Sequence, residues 1–249
     1  MDDGHEDHGR APEPISDFDR ARRETVRYHE ELYAAAELGQ PGTWLARPHR
    51  LLADALALLA ADRPVVAYDL GAGIGRHTIP LLEELPAGST VVAVDLLESA
   101  LKHLRDAVPP GVGATLRTRA VDLSAFEFES AADLVFAFSA VEHLPDLAAV
   151  RRLLERARAA LTPGGVLALG FVVDRFEVDA DGERRPAMLE SAMSSDEALE
   201  LLSGVFPDAT VADQRSDPSE VREQRDGESY TLTSTLLTWL ATAPGDPTP

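Results

Sequence analysis

The sequence predicts a doubly wound α/β fold, a parallel sheet with helices packed on both faces. Three observations point there. Between Pro64 and Val173, short apolar runs alternate with amphipathic segments of helical length, as in linked βαβ units. The first run empties into the glycine-rich stretch Gly71-Ala72-Gly73-Ile74-Gly75. The first three runs each end close to an aspartate: Asp69, Asp95 and Asp122.

The elements follow in order. Residues 1–15 are charged, hold Pro and Gly, and read as a disordered tail. Ser16 or Asp17 caps a helix that runs to about Leu38 and stops at Gly39, Pro41 and Gly42. Residues 16–47 therefore form an N-terminal helical cap ahead of a main domain over 48–243. A second helix is predicted over Pro48–Ala61, where Leu51, Leu52, Ala55, Leu58 and Leu59 recur at helical spacing. Pro64–Leu70 is the first buried strand. Gly75–Leu85 places Ile79, Leu82 and Leu85 on one helical face, and Thr90–Asp95 is the second strand. Leu97–Val108 is a helix with Leu97, Leu101, Leu104 and Val108 aligned, and Thr115–Val121 alternates like a strand near an edge. Ala132–Phe138 is the fourth strand and Leu147–Leu161 the next helix. Pro163-Gly164-Gly165 is a turn before a fifth strand, Val166–Val173.

After Asp174 the alternation stops. Residues 174–190 read as an exposed loop or lid, in which Arg184 and Arg185 are candidates for holding an anionic substrate. Ser194 or Ser195 caps a helix to about Gly204. Ala209–Gln214 is a short strand, Asp226-Gly227 a turn signal, and Ser229–Thr242 a long final strand. Residues 244–249 fray as a C-terminal tail.

Composition removes several classes of function. The 249 residues contain no cysteine, which excludes disulfides, thiolate metal sites and cysteine nucleophiles. A reducing cytoplasm is the expected compartment; no apolar h-region stands in the N-terminal residues and no run approaches a membrane span. Asp and Glu number 43 against 23 Lys and Arg, a net charge of −20, which disfavours nucleic acid and anionic lipid as partners. Lys102 is the one lysine and sits among surface-type residues, so Schiff-base chemistry is not expected. His5, Glu6, Asp7 and His8 read as a solvated tail rather than a metal site, and no metal is expected.

The glycine loop carries the most information. Gly71, Gly73 and Gly75 are spaced G-x-G-x-G, whereas a dinucleotide fingerprint needs its third glycine where Arg76 stands. Asp69, two residues before the loop, would disfavour a pyrophosphate and favour an ammonium or sulfonium. Asp95 stands where an acid accepts hydrogen bonds from a ribose diol. Asp122 is suited to an adenine amino group and the Leu123 N–H to a ring nitrogen. Three acids at successive strand ends line one crevice, where open α/β sheets bind ligands.

Asp69 to Gly75, Asp95, Asp122-Leu123, the Ala132–Leu144 segment and Leu161-Thr162-Pro163-Gly164-Gly165 resemble the ordered motifs of class I S-adenosylmethionine-dependent methyltransferases. The resemblance covers residues 48–173. It implies a Rossmann-like seven-stranded sheet, mostly parallel with an antiparallel last strand, and S-adenosylmethionine as cofactor. It places Asp69 with Gly71, Ala72, Gly73 and Gly75 at the methionine part, Asp95 at the ribose, and Leu96 against the adenine. Asp122 and Leu123 fall at the adenine edge, and Ser139 near the methionine carboxylate and the methyl group. A narrower resemblance, to tellurite-resistance-type methyltransferases, rests on Gly75-Arg76-His77-Thr78 and on a last strand ending Trp239-Leu240-Ala241.

Methyl transfer is an in-line displacement in which positioning supplies most of the gain. His143, after the fourth strand, is the candidate general base, and Glu142 the candidate to orient it or touch the substrate. His77 is placed to reach the cofactor carboxylate or simply to pack. Tyr28, Tyr33 and Trp44 are substrate-side candidates because aromatic faces attract sulfonium-like cations. The partner expected is a small-molecule methyl acceptor, with a homodimer left open. Two alternatives stand beside this reading. A nicotinamide-dependent oxidoreductase is opposed by the glycine spacing and Asp69. A non-catalytic S-adenosylmethionine-binding regulator or partner protein would keep the same acids.

Overall fold

The structure, a computed structural model, describes residues 16–35, 37–59, 62–187, 190–225 and 227–245. The predicted tail at 1–15, residues 246–249, the end of the second predicted helix at 60–61, and Asp226 of the predicted turn lie outside these. In order, the chain forms α1 (Asp17–Ala35), α2 (Arg50–Leu58), β1 (Val66–Leu70), α3 (Thr78–Glu84), β2 (Thr90–Asp95), α4 (Glu98–Ala107), β3 (Thr115–Ala120), β4 (Ala132–Phe138) and α5 (Leu147–Ala160). β5 (Leu161–Val178), β6 (Arg184–Pro186), α6 (Ser195–Val205), β7 (Thr210–Arg225) and β8 (Glu228–Thr242) complete it.

The sheet order is β3-β2-β1-β4-β5-β8-β7, with β6 paired to β5 alongside that path. β1 to β5 are mutually parallel, and β8 runs antiparallel between β5 and β7. The order steps outward in both directions from β1, which creates a switch point between β1 and β4 at their carboxyl ends. β1 and β4 are apolar almost throughout because both of their faces are covered. Tyr68 and Leu70 of β1 join α5 and α6 through Leu153, Leu154, Leu201 and Leu202 on one face. Ala67, next to Tyr68 in the strand, joins Leu51, Leu52, Leu81 and Leu82 of α2 and α3 on the other.

Two segments differ from the sequence expectation. The stretch beginning at Asp174 is not wholly irregular, since β5 continues to Val178 and β6 pairs back on it. Charged residues hide this pairing from a hydropathy reading. Buried Glu177 sits opposite Arg185 in register, and the two form an ion pair of 3.0 Å. β7 is 16 residues long rather than a short strand. It is the edge of the sheet, so its polar residues and Pro218 meet solvent and no apolar alternation is required.

Phe171 is fully buried in the face shared by β5, α5 and α6. Phe171→Ala is expected to lower the unfolding free energy by about 3–5 kcal/mol, measured by urea denaturation.

Candidate active site

The glycine loop turns sharply between β1 and α3. Gly71 and Gly73 adopt φ of 78° and 53°, which a side chain would strain. The amides of Gly71 and Ala72 both donate to the Val94 carbonyl, at 2.8 and 3.0 Å, which pins the loop across the end of β2. A Cβ on Gly73 would lie 2.7 Å from the Tyr33 hydroxyl, so bare backbone here lets α1 approach closely. Gly75 instead faces Leu104 of α4 and serves packing.

Asp95 ends β2 and holds two elements to it. Its Oδ2 accepts the Gly73 N–H at 2.7 Å and its Oδ1 accepts the Leu97 N–H at 2.9 Å. Each oxygen keeps a lone pair for a diol. Leu96 is exposed beside it and forms part of the same wall.

Asp69 is fully buried, and its Oδ2 accepts the Thr78 hydroxyl at 2.6 Å. It lies behind the loop rather than on the crevice surface. Burial pushes its pKa up to about 7, with the charge of Asp95 adding to that effect and the Thr78 hydroxyl opposing it.

Asp122 follows β3 and caps a short turn by accepting the Ser124 N–H at 2.8 Å. Its other oxygen is clasped by Arg22 of α1, whose second terminal nitrogen donates to the His143 carbonyl at 2.8 Å. Burial raises the Asp122 carboxyl, but the Ser124 and Arg22 hydrogen bonds outweigh it and hold the group below its usual range.

One continuous crevice results. Its inner part is lined by Gly71, Asp95, Leu96, Asp122, Leu123 and Ser139, together with α1. The residues α1 contributes are Arg22, Thr25, Val26, His29 and Tyr33, which recur at helical spacing on one face. The outer chamber, with the exposed Tyr28 and Trp44 at its rim, is lined also by Arg76, Ala72, Gly73, His77 and Phe138. Tyr33, His29, Ser139 and His143 border both parts. Ser139 is held at φ 52°, a left-handed conformation unusual outside glycine, where strain often marks function.

His143 lies on the turn Val141–His143 after β4. Its Nδ1 meets Oε2 of Glu190 at 3.3 Å, and its ring stands edge-on to His29 at 5.9 Å. Glu142 is not the carboxylate that pairs with it. Glu142 is buried and its Oε1 accepts the Val172 N–H at 3.2 Å, which ties the turn to β5. His77 is buried among Phe136 and Phe138, and its Nε2 accepts the His49 N–H at 3.2 Å. Burial lowers its pKa to about 3, so it is a neutral packing and hydrogen-bonding residue. Arg184 stacks on Phe176 and Arg185 pairs Glu177, so both are engaged within their own hairpin.

Arg22, His29, Arg76 and Glu190 are site residues that the sequence reading missed. The first two share the helical face that already held Tyr33, so the periodicity of α1 carried a usable signal. Glu190 gave none, since it lies in a stretch without pattern. Among the described residues no three His, Asp or Glu side chains converge as metal ligands do.

Comparison with known proteins bears on this geometry. Residues 68–167 match the family model of a methyltransferase domain. The chain is 35% identical over 120 residues to a trans-aconitate 2-methyltransferase of Azoarcus sp. (strain BH72), covering 48% of this chain and 44% of that protein. It is 33% identical over 132 residues to that of Variovorax paradoxus (strain S110), covering 53% and 46%. The matches thus span less than half the length of these relatives. In fold it resembles TehB from Haemophilus influenzae, with a TM-score of 0.59 at 17% identity, covering 78% of this chain and 62% of that one. The magnesium protoporphyrin IX methyltransferase of Synechocystis PCC 6803, solved with bound S-adenosylmethionine, gives 0.54 at 15%, covering 90% and 99%. Residues 68–167 are thus similar to a methyltransferase domain, and the fold is shared with a methyltransferase solved with bound S-adenosylmethionine. The crevice fits such a group: bare glycine backbone on one wall, a carboxylate with free lone pairs at its centre, and Leu96 and Leu123 on its sides.

The buried Asp69 makes stability depend on pH. The folded state keeps its proton up to about pH 7, whereas an unfolded aspartate releases it near pH 3.8. The native state therefore loses stability as pH rises between these values. Asp69→Asn cannot ionise, so its stability relative to the parent is expected to rise by a few kcal/mol across that window and then level off. Urea denaturation of both proteins from pH 4 to 8 measures this.

Proposed function

We propose that this protein transfers the methyl group of S-adenosylmethionine to a small-molecule acceptor that enters through the outer chamber. The observation that carries the reading is the continuous crevice, with Asp95, Asp122 and the glycine loop on its inner part and His143 and Ser139 at the junction with the outer part. In this reading Asp95 receives the ribose hydroxyls, Leu96 and Leu123 enclose the base, and the Gly71–Gly73 backbone receives the methionine portion. Asp69 acts from behind the loop, where a nearby cationic ammonium would favour its ionised form. Asp122 is already held by Arg22, so adenine either shares that carboxylate or displaces the guanidinium. Bound S-adenosylmethionine supplies an activated methyl group, and the chain aligns the acceptor with it and excludes water.

An anionic acceptor suits the outer chamber. Arg76 lies over the Trp44 and Phe138 rings at 5.6 and 5.5 Å, with its Nε donating to the Arg47 carbonyl at 2.8 Å. Among the described residues no Asp or Glu lines that chamber, although the chain is strongly acidic. A carboxylate on the acceptor would meet Arg76 there. The relatives named as trans-aconitate methyltransferases support an acid of this kind.

Calorimetric titration is expected to give micromolar binding of S-adenosylhomocysteine and none of NAD. Binding of NAD alone would overturn the assignment. Asp95→Ala is expected to weaken S-adenosylhomocysteine by tenfold or more, about 1–3 kcal/mol, because the ribose hydroxyls lose their acceptor. With labelled methyl donor and a panel of carboxylic acids that includes trans-aconitate, Arg76→Met is expected to raise KM for the acceptor roughly tenfold or more, with kcat changed less. An unchanged KM would remove Arg76 from the acceptor site.

A further inference from the structure

The buried carboxylate of Glu190 has no role in the reading above. It approaches the site from the segment ahead of α6, far in sequence from every motif of the crevice. Its side chain is almost wholly enclosed, one oxygen faces Nδ1 of His143, and the other, Oε1, has no hydrogen-bond partner among the described residues. Burial alone would raise its pKa, yet the hydrogen bond and charge of His143, helped by Thr25, bring it down to about 2. As a carboxylate the group can only accept. Nδ1 of His143 must then carry the hydrogen. In the neutral ring this leaves Nε2 without one.

Nε2 has no protein partner among the described residues, and the ring borders both parts of the crevice. Arg22 engages only the main-chain carbonyl of His143, and His29 presents a ring edge at 5.9 Å whose own Nδ1 donates to the Thr25 carbonyl at 2.9 Å. Burial lowers the His29 pKa first of all, so His29 adds little positive charge beside His143 at neutral pH.

We infer that Glu190 is a positioning residue that holds His143 with Nε2 bare toward the crevice, so that His143 takes a proton from the methyl-accepting atom. The inference rests on the methyl-transfer reading. It also deepens it, because the accepting atom must then bear a proton, as a hydroxyl or an ammonium does. A carboxylate seated on Arg76 is in this view an anchor, and the methylated atom lies elsewhere on the same acid. In the step, the acceptor's proton passes to Nε2 and its electron pair forms the bond to the methyl carbon. The methyl–sulfur bond breaks with its pair left on sulfur, and the imidazolium releases the proton to solvent after product departs.

The test uses the full chain saturated with S-adenosylhomocysteine. Nitrogen-15 NMR of the histidine rings, with His143→Gln for assignment, is expected to show the Nδ1–H form for His143 in the parent protein. In Glu190→Gln the Nε2–H form is expected to appear, because a carboxamide can also donate to Nδ1. Glu190→Asp is expected to restore part of the parent signal. Calorimetry should give the same affinity for S-adenosylhomocysteine in the parent, Glu190→Gln and Glu190→Asp. Loss of that affinity in the parent itself would strike at the cofactor assignment and not at the pair. An Nε2–H form in the parent, or no change in Glu190→Gln, overturns the inference. In turnover, Glu190→Gln is expected to lower kcat roughly 10–100-fold with KM within about twofold. Efficient methylation of trans-aconitate carboxylates by parent and Glu190→Gln at equal rates overturns the proton-bearing acceptor.

Discussion

The Asp95 carboxylate is the point on which the site depends. By accepting the Gly73 and Leu97 amides it joins the end of β2 to the glycine loop on one side and to the start of α4 on the other. Three parts of the chain that would otherwise move independently are thereby held in one frame. The loop is pinned a second time by two amides on the Val94 carbonyl. Everything placed over it inherits that geometry: Tyr33 above Gly73, Leu104 against Gly75, and Leu96 on the open side. A ligand at Asp95 would therefore meet a surface already ordered, with little further entropy to lose.

The acidic residues divide by what satisfies them. Asp133 accepts the Val66 amide, Arg63 and Thr162, and locks β4 to β1 and β5 at the end remote from the crevice. Glu177 is neutralised by Arg185 across the β5–β6 pair. Asp69 is kept from water behind the loop. Asp95, Asp122 and Glu190 are different, for each contacts residues that border the crevice. A net charge of −20 thus conceals a chamber with Arg76 in its wall and no carboxylate among its described lining. α1 enters the same balance, since Arg22 ties it both to Asp122 and to the turn that carries His143. A small apolar cluster of Tyr33, Leu45, Ile74 and Ala100 completes its seat.

The legible parts share a physical cause. β2 and β4 match their predicted limits because both faces are covered and every residue must be apolar or hydrogen-bonded. The glycine loop and the acids at 69, 95 and 122 could be read because close backbone turns and strand ends constrain residue type locally. β7 and the far half of β5 were illegible, since an edge strand and a ribbon beyond the helices are wetted and leave no period of two. Glu142 misled for a related reason. Adjacency in the chain placed it beside His143, but the turn sends its carboxylate to the Val172 amide.

Local chemistry was thus readable from the order of residues alone: the βαβ alternation, the turn that admits a ligand against bare backbone, and the acids at its rim. These follow from interactions between near neighbours in the chain. The partners of those groups followed only from the folded arrangement. Arg22 stands 100 residues from Asp122, and Glu190 stands 47 from His143. Contacts so distant in sequence leave no period or spacing, and only the packing of α1 and of the segment before α6 onto the sheet brings them together.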